Sequence, residues 1–594
     1  MHSDHALFQQ ICIPTTPEAI GEVLPARFGQ GRYWLGFDGR LDNREDLART
    51  LAIGRIADMP DSILVARAWE HWGEDTPAHL LGDFAAAVWD EKTRTLTLAC
   101  DQTTGGRPIF YHATEKRLIF STNLAKLLVM PDVPRALDPA QLARAAQWSW
   151  PGNGRSPFQH IAQVPPAGRV RWSENGLRID RYWQPDWSRR IRYRRDSDYV
   201  EAARELLDRA VAAQSRVIGP LMAELSGGLD STAIVATAAR AQPHRPMISV
   251  TAVSEDQAIL PAQPPHVFYD EWARVQAVAT LYPNLTTLRV PAAPMTAEMA
   301  DPRRQFVLTG TPGANPFDSS WFDPARQRLR DLGASAVLVG SAGNLTLSAQ
   351  RLSYLADLAA RGRWFGLLRH AWSLGNGPGD ATTLAVLRRA AARVRSGRGA
   401  ATQALGPAVA ERYRRPEPDR TAQADGRFAA DWQGFFERTV ESRRIANHAA
   451  RALHGLETRD PLGYLPLLEF CFAIPREQYL RDGVPRALAR RVLADRLPLQ
   501  VVQEQRIGRQ CPELAARIGG QREWLRATLV DVARSPLAAE ILDTAWIGTT
   551  IAAIPADVRL LGAEAITPLR RVAAGLQVGQ FVTWVEDGCA GLEA

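Results

Sequence analysis

The segment Ser226-Gly227-Gly228-Leu229-Asp230-Ser231 combines residue types that together suit a bound oxyanion. Adjacent glycines let backbone N–H groups approach an oxygen with no Cβ in the way, and a helix starting here adds the positive end of its dipole. Ser226 and Ser231 supply hydroxyl donors. Asp230 would repel bare phosphate, but it suits a Mg²⁺ ion bridging phosphate oxygens and is the candidate metal ligand. Taken alone, the same string also reads as a glycine-rich turn capped by Asp230 or Ser231 at a helix start. It is neither a Gly-Lys-Ser/Thr phosphate loop nor a dinucleotide fingerprint.

Such a loop needs a strand before it and a helix after it. Leu221 to Leu225 is a short apolar run, and Thr232 to Arg240 is helical in composition. Further apolar runs at Met247 to Val253 and Ala336 to Val339, separated by helical stretches, predict a parallel sheet of the doubly wound kind. An amphipathic segment, Tyr199 to Val217, precedes them.

Residues 1 to about 185 read differently. Short apolar runs at Tyr33–Phe37, Ala85–Trp89, Thr95–Ala99, Ile109–Tyr111 and Val170–Trp172 predict a β-rich first domain, with helical periodicity only at Ser62 to Trp72. The expected class is α+β followed by α/β. The basic run from Pro185 to Arg195 marks the boundary, giving domains 1–185 and 186–594. From about 352 to 450 an Ala- and Arg-rich stretch predicts a helical insertion, broken at Gly375 to Gly379 and Arg414 to Asp419.

Composition bounds the function. At 594 residues and 46% apolar content the chain suits two or three packed domains. No run approaches the ~20 apolar residues of a membrane span, and Met1 to His5 lacks the pattern of a signal peptide, so a cytoplasmic protein with no membrane partner is expected. The five cysteines are scattered without a metal-binding spacing. The net charge of +7 comes from dispersed arginines, which argues against a nucleic-acid partner. Only Lys92, Lys116 and Lys126 are lysines.

In its strand–loop–helix setting, the Ser226 to Ser231 loop resembles the PP-loop of ATP pyrophosphatases. More of the chain is similar to glutamine-dependent asparagine synthetases: Leu35 to Arg44, Gly82 to Asp90, Asp101 with Gly106 to Tyr111, Arg181-Tyr182-Trp183, Glu457 to Leu462, and Leu467 through Leu497-Pro498. This resemblance implies a glutaminase-like (Ntn-type) first domain and a second domain that cuts ATP between its α- and β-phosphates. Leu225, Ser226, Gly227, Gly228, Asp230 and Ser231, with Val250, Val339 and Gly340, are implied to hold ATP, with Mg²⁺ on Asp230. Glu457, Arg459 and Arg486 are implied to line the acyl and phosphate side.

The departures from that family narrow the expectation. A glutaminase of this type uses an N-terminal cysteine, whereas His2 follows Met1 and no cysteine precedes Cys12. Ile11 and Ile13 flank Cys12 like a strand, so trimming back to it is not expected, and the first domain is read as a dead glutaminase. The family's Gly-Glu-Gly-x-Asp-Glu segment is replaced by Gly340-Ser341-Ala342-Gly343-Asn344-Leu345, with Ser341 and Asn344 at the acidic positions. The family lysine near the C-terminal end is missing, leaving Arg506 or Arg509 to balance phosphate charge.

This combination resembles the asparagine-synthetase homologues that close lasso peptides. They are implied to adenylate an Asp or Glu side chain of a ribosomal precursor peptide and let its freed N-terminal amine attack, giving an isopeptide macrolactam, AMP and pyrophosphate. A leader peptidase and a leader-binding protein are the implied partners. The alternatives are β-lactam synthetase-like closure of a small β-amino acid, for which Tyr269-Asp270-Glu271 echoes a Tyr-Glu pair, an amide ligase using free ammonia, and a non-enzymatic scaffold.

Overall fold

The computed structural model describes residues 6–592 apart from 104–105, 148–153, 255–258, 313–315, 350–352, 361, 376–382, 385, 389–423 and 482. Among the described residues nine N-terminal strands form two antiparallel sheets: β1 (Ala26–Phe28), β2 (Tyr33–Leu41), β3 (Gly82–Asp90), β4 (Thr95–Cys100), β5 (Phe110–Ala113), β6 (Leu118–Ser121), β7 (Ala162–Gln163), β8 (Gly168–Ser173) and β9 (Gly176–Arg181). The larger sheet runs β1-β2-β3-β4-β8-β9 and the smaller β6-β5-β7.

Strand β3 explains the layering. Its side chains alternate with period two. Phe84, Ala86 and Val88 pack toward Leu64, Val65 and Trp69 of the helix Asp61–Trp72. Ala85, Ala87 and Trp89 pack toward Ile109 and Tyr111 at the second sheet. Alanine on both faces lets a helix and a sheet approach the same strand closely. Phe110, pointing away from Tyr111, joins a cluster with Phe158, Phe306 and Phe581, so helices from the end of the chain cover the small sheet.

The second domain is built on β10 (Leu221–Glu224), β11 (Met247–Val253), β13 (Leu285–Pro291), β14 (Ala336–Leu338) and β15 (Glu457–Arg459), all parallel in the order β13-β11-β10-β14-β15; a two-residue strand β12 (Val267–Phe268) lies outside this sheet. Strand β10 is central, in register from Leu221↔Met247 to Glu224↔Val250. Leu221 and Ala223 face one core, while Met222 joins Val250, Val337 and Val339 in another. Strands β13 and β15, and the helices from Leu514 to Glu586, were not legible as such; β13 carries polar Thr286, Thr287 and Arg289, and β15 is a three-residue Glu-Thr-Arg string.

Within the expected insertion the structure has helices Ser353–Ala360, Trp364–Gly375 and the 31-residue Ala424–His454. The breaks expected at Asn376 to Gly379 and Arg414 to Asp419 lie outside the described residues. One expectation is corrected: the residues around Cys12 form no strand, and Ile11 and Ile13 are exposed.

The two domains meet on one buried carboxylate. Glu457, at the start of β15, accepts from Arg40 Nη1 at 3.0 Å, Arg459 Nε at 2.6 Å and Thr15 Oγ1 at 2.8 Å, and pairs closely with Arg107. Arg40 and Arg107 come from the first domain and are tied in turn to Asp42, Asp83 and Asp38. Burial alone would raise the Glu457 carboxyl, but Arg459, Arg107 and Arg40 hold it well below its ordinary value. Replacing Glu457 by alanine leaves three buried guanidinium groups without their shared acceptor and is expected to destabilise the chain by about 3–5 kcal/mol, read as a lower denaturant midpoint. Because the folded-state value is depressed, this stabilisation is present above the ordinary 4.5 and is lost as pH falls through the folded value; Glu457→Gln should remove that acid-side dependence.

Candidate functional site

The Ser226 to Ser231 loop leaves the C-terminal end of the central strand, where ligands bind in open parallel sheets. Its entry is fixed from β11: Leu225 N donates to the Val250 carbonyl at 2.9 Å, and Thr251 Oγ1 donates to the Leu225 carbonyl at 2.8 Å. Gly228 is the N-cap of the helix Leu229–Ala241, whose side-chain cap is absent, so its first N–H groups are available to an anion. The serines brace the loop from inside. Ser226 N donates to Ser231 Oγ at 2.9 Å, the two hydroxyl oxygens lie 2.9 Å apart, and Ser231 Oγ also reaches the Ser226 carbonyl at 3.2 Å. A Cβ on Gly227 would stand 3.1 Å from the Glu271 carbonyl, a close approach that favours glycine there.

The facing wall comes from β14. Val339 N donates to the Arg459 carbonyl at 2.8 Å, and the chain then turns through Gly340 into a 3₁₀ turn, Gly343–Leu345. A Cβ on Gly340 would lie 2.7 Å from the backbone of Asp230 and Ser231, and one on Gly343 would overlap the Asp230 carboxylate. The two loops therefore interlock through glycines spaced by three. Asp460 holds the turn from behind: its Oδ2 accepts from Ala342 N at 2.7 Å and pairs with Arg443 at 3.0 Å. Ser341 and Asn344 are exposed on this turn.

Burial raises the Asp230 carboxyl above its ordinary value; the Ser348 hydroxyl and the Arg486 guanidinium offset part of this, and Asp460 adds to it. Arg486 sits in the left-handed region at φ 57°, just before the helix Ala487–Leu493. That conformation is costly for a residue with a Cβ and marks a position held by its surroundings. Among the described residues no group of three or more His, Cys, Asp or Glu could hold a metal. Asp230 therefore suits a cation that takes its remaining ligands from phosphate and water, as Mg²⁺ does. A desolvated carboxylate short of counter-charge fits that role.

The structure thus brings together Leu225 to Ser231, Val250, Val339, Gly340, Ser341, Asn344 and Arg486. It does not bring Glu457 and Arg459 to them, correcting the expectation that they line the acyl and phosphate side. Glu457 pairs in register with Ala336, at the beginning of β14, whereas the loop lies beyond the strand ends. The Arg459 guanidinium donates to the Gln214 carbonyl at 3.0 Å, ahead of β10, and is fully buried at the domain seam. Arg506 is partnered by Glu504, with Nε and Nη2 at 3.0 and 2.7 Å, and Glu504 also holds Arg274. The adjoining strand Ile507–Gly508 pairs with β12, beside the loop's neighbour Glu271.

Ser348 and Asp460 were not singled out from the sequence, although the Gly340/Gly343 spacing is the signal of the close approach that gathers them. Glu271, read from the sequence only as the acid of a Tyr-Glu echo, stands against Gly227: burial pushes its carboxyl up to about 7 despite Arg274 and the Gly227 N–H nearby. A raised carboxyl favours the protonated folded state. Stability should fall by roughly 2–3 kcal/mol as pH rises from 4.5 to about 7, and this slope should vanish in Glu271→Gln, measured by denaturant unfolding across that range. Gly343→Ala, whose methyl would displace the Asp230 carboxylate, should weaken binding of a Mg²⁺–ATP analogue at least about tenfold, read by calorimetry.

Residues 202–572 match the asparagine synthase family, and residues 24–183 match the glutamine amidotransferase domain. The chain is 35% identical over 214 residues to an asparagine synthetase [glutamine-hydrolyzing] 3 of Bacillus subtilis, covering 35% of this chain and 34% of that protein. It is 25% identical over 178 residues to the amidase chry2 of Gibberella zeae, covering 29% and 26%. A putative asparagine synthetase [glutamine-hydrolyzing] of Mycobacterium tuberculosis is 27% identical over 238 residues, covering 37% and 35%. These alignments span about a quarter to a third of the length of the curated relatives. With the family match covering more than half of its residues, including the interlocked loops at the ends of β10 and β14, the chain belongs to the asparagine synthase family.

Proposed function

We propose that the chain is an ATP-dependent, AMP-forming ligase that closes a ribosomal peptide into an isopeptide macrolactam of the lasso type. The observation that carries the ATP reading is the interlock of the Ser226 to Ser231 loop with Gly340 and Gly343 around Asp230. The helix N-terminus and loop amides would receive phosphate, and Asp230 would hold Mg²⁺, which when bound supplies charge neutralisation for a departing pyrophosphate. Arg486, beside Asp230, adds positive charge on the same side. A carboxylate oxygen attacks the α-phosphorus, pyrophosphate leaves, and the amine then displaces AMP from the acyl carbon. The fold's contribution is to align these groups.

What favours a tethered amine over free ammonia is the exposed turn. Ser341 and Asn344 stand there in place of the acidic residues of the ammonia-using synthetases the chain resembles, the departure it has in common with the lasso-type homologues. The β-lactam synthetase-like reading has less support: the Tyr269 hydroxyl donates to the Ala262 carbonyl at 3.2 Å, not to Glu271. The first domain then acts as a structural partner, with Asp38, Arg40, Asp83 and Arg107 engaged at the seam. Its substrate peptide requires leader removal, so a leader peptidase and a leader-binding protein are the proposed partners. Among the described residues no helix is long and apolar enough to cross a membrane.

With a leader-cleaved precursor peptide, Asp230→Ala should lower AMP and pyrophosphate formation by about 100-fold or more, whereas full turnover would remove the metal role. The purified chain should release no glutamate from glutamine; measurable hydrolysis would overturn the structural role of the first domain.

A further inference from the structure

Arginines are dispersed along the chain, but the excess of positive charge is not. The 594 residues hold 71 basic and 64 acidic side chains; residues 351–400 hold nine arginines against Asp357 and Asp380, which leaves the rest balanced at 62 of each. The same stretch carries the helix Trp364–Gly375. One face of this helix is held inward, where Leu367 and Ala371 are buried with Tyr354, Leu355 and Leu358 of the helix Ser353–Ala360. On the next face Trp364, Leu368 and Trp372 recur every four residues, with Phe365 beside them, and these four are 52% to 83% exposed. Exposed Arg363 precedes the stripe, and exposed Arg369 follows Phe365 by one turn.

At about 200 Å² for each aromatic side chain, such a stripe presents roughly 500 Å² to water, the size of patch that usually serves a partner. A stable pair of protein copies needs about 800 Å² from each, more than this face offers. A nucleic-acid surface would place cations, not an unbroken apolar row, at the point of contact. A lipid surface needs neither a larger area nor a matching shape. It accepts a helix of ~18 Å lying flat, seats indole rings at headgroup level and draws arginines to anionic headgroups.

We infer that this face docks the chain on an anionic lipid surface, with Trp364, Phe365, Leu368 and Trp372 in the headgroup layer and the charge excess of residues 351–400 drawn to the surface. Apolar burial and charge attraction act together, since either alone gives weak and reversible attachment. The expectation of no membrane partner rests on the lack of an apolar span, which peripheral attachment does not require. Nothing in this docking depends on the ligase reading.

The test is flotation of the full chain with vesicles of phosphatidylcholine alone or with about 30% phosphatidylglycerol. Partitioning should be at least about tenfold stronger to the anionic vesicles and should weaken at high salt. Phe365→Ser and Trp372→Glu, both at exposed positions, should each lower it about fivefold or more, while the denaturant midpoint stays unchanged and affinity for a Mg²⁺–ATP analogue stays within about twofold. No partitioning, equal partitioning to neutral vesicles, or variants that partition like the wild-type chain would overturn the docking. So would a dimer, read by sedimentation equilibrium, that the same variants dissolve, because the face would then join two copies.

Discussion

One carboxylate surrounded by three guanidinium groups organises this molecule. Among the described residues Glu457 is the only acid in direct contact with Arg40, Arg107 and Arg459 together, and those arginines reach it from both domains. Isolated burial of any member would be prohibitive, because an unpaired ion in a low-dielectric interior loses several kcal/mol of solvation. Only the assembled set is tolerable. The domains are thereby fixed relative to each other at the beginning of the parallel sheet, and the opposite ends of its strands are left to build a site.

At those opposite ends the controlling constraint is steric. Gly340 and Gly343 let the turn after β14 lie directly on Asp230, so two loops from neighbouring strands form one surface. The serines that look like ligand donors in the sequence spend their hydrogen bonds inside the loop, which makes it rigid. In the proposed reading the groups left to meet an anion are backbone N–H groups and the helix start, whose direction the fold sets and no side-chain rotation can spoil. Asp460 extends the same rigidity outward, joining Ala342 to Arg443 and so to the long helix.

Much of this was legible in the sequence where a local rule dominates. Met247–Val253 is a strand as expected, because its apolar run is buried in a parallel sheet, and the loop lies between a strand and a helix as its composition requires. The elements missed are those whose character comes from distant partners. Glu-Thr-Arg at β15 has no apolar signal; it is a strand because β14 pairs with it and because its charges are neutralised from the other domain. The same cause misplaced Glu457 and Arg459, since a charged pair in a motif reads as chemistry until its partners are known. Ser348 and Asp460 were invisible as site residues because nothing local distinguishes a buried hydroxyl or acid from an exposed one, and Glu271 was legible only as the acid of a Tyr-Glu echo, not as a wall against Gly227.

The scarcity of lysine bears on how such a site can work. With no lysine after Lys126, every permanently cationic side chain of the parallel-sheet domain is an arginine, a planar group that stays charged and binds in fixed directions. Arg274 and Arg506 show the consequence: both meet Glu504 and both stand over Phe268, with guanidinium carbons 3.6 and 5.8 Å from the ring centre. Neither can slide along a phosphate chain as an ammonium on a flexible stem could. For either to reach a nucleotide, Glu504 must release it, so phosphate would compete with that carboxylate. Under the proposed function, charge neutralisation would therefore be coupled to the placement of the strand Ile507–Gly508, which β12 holds against the same wall as Glu271.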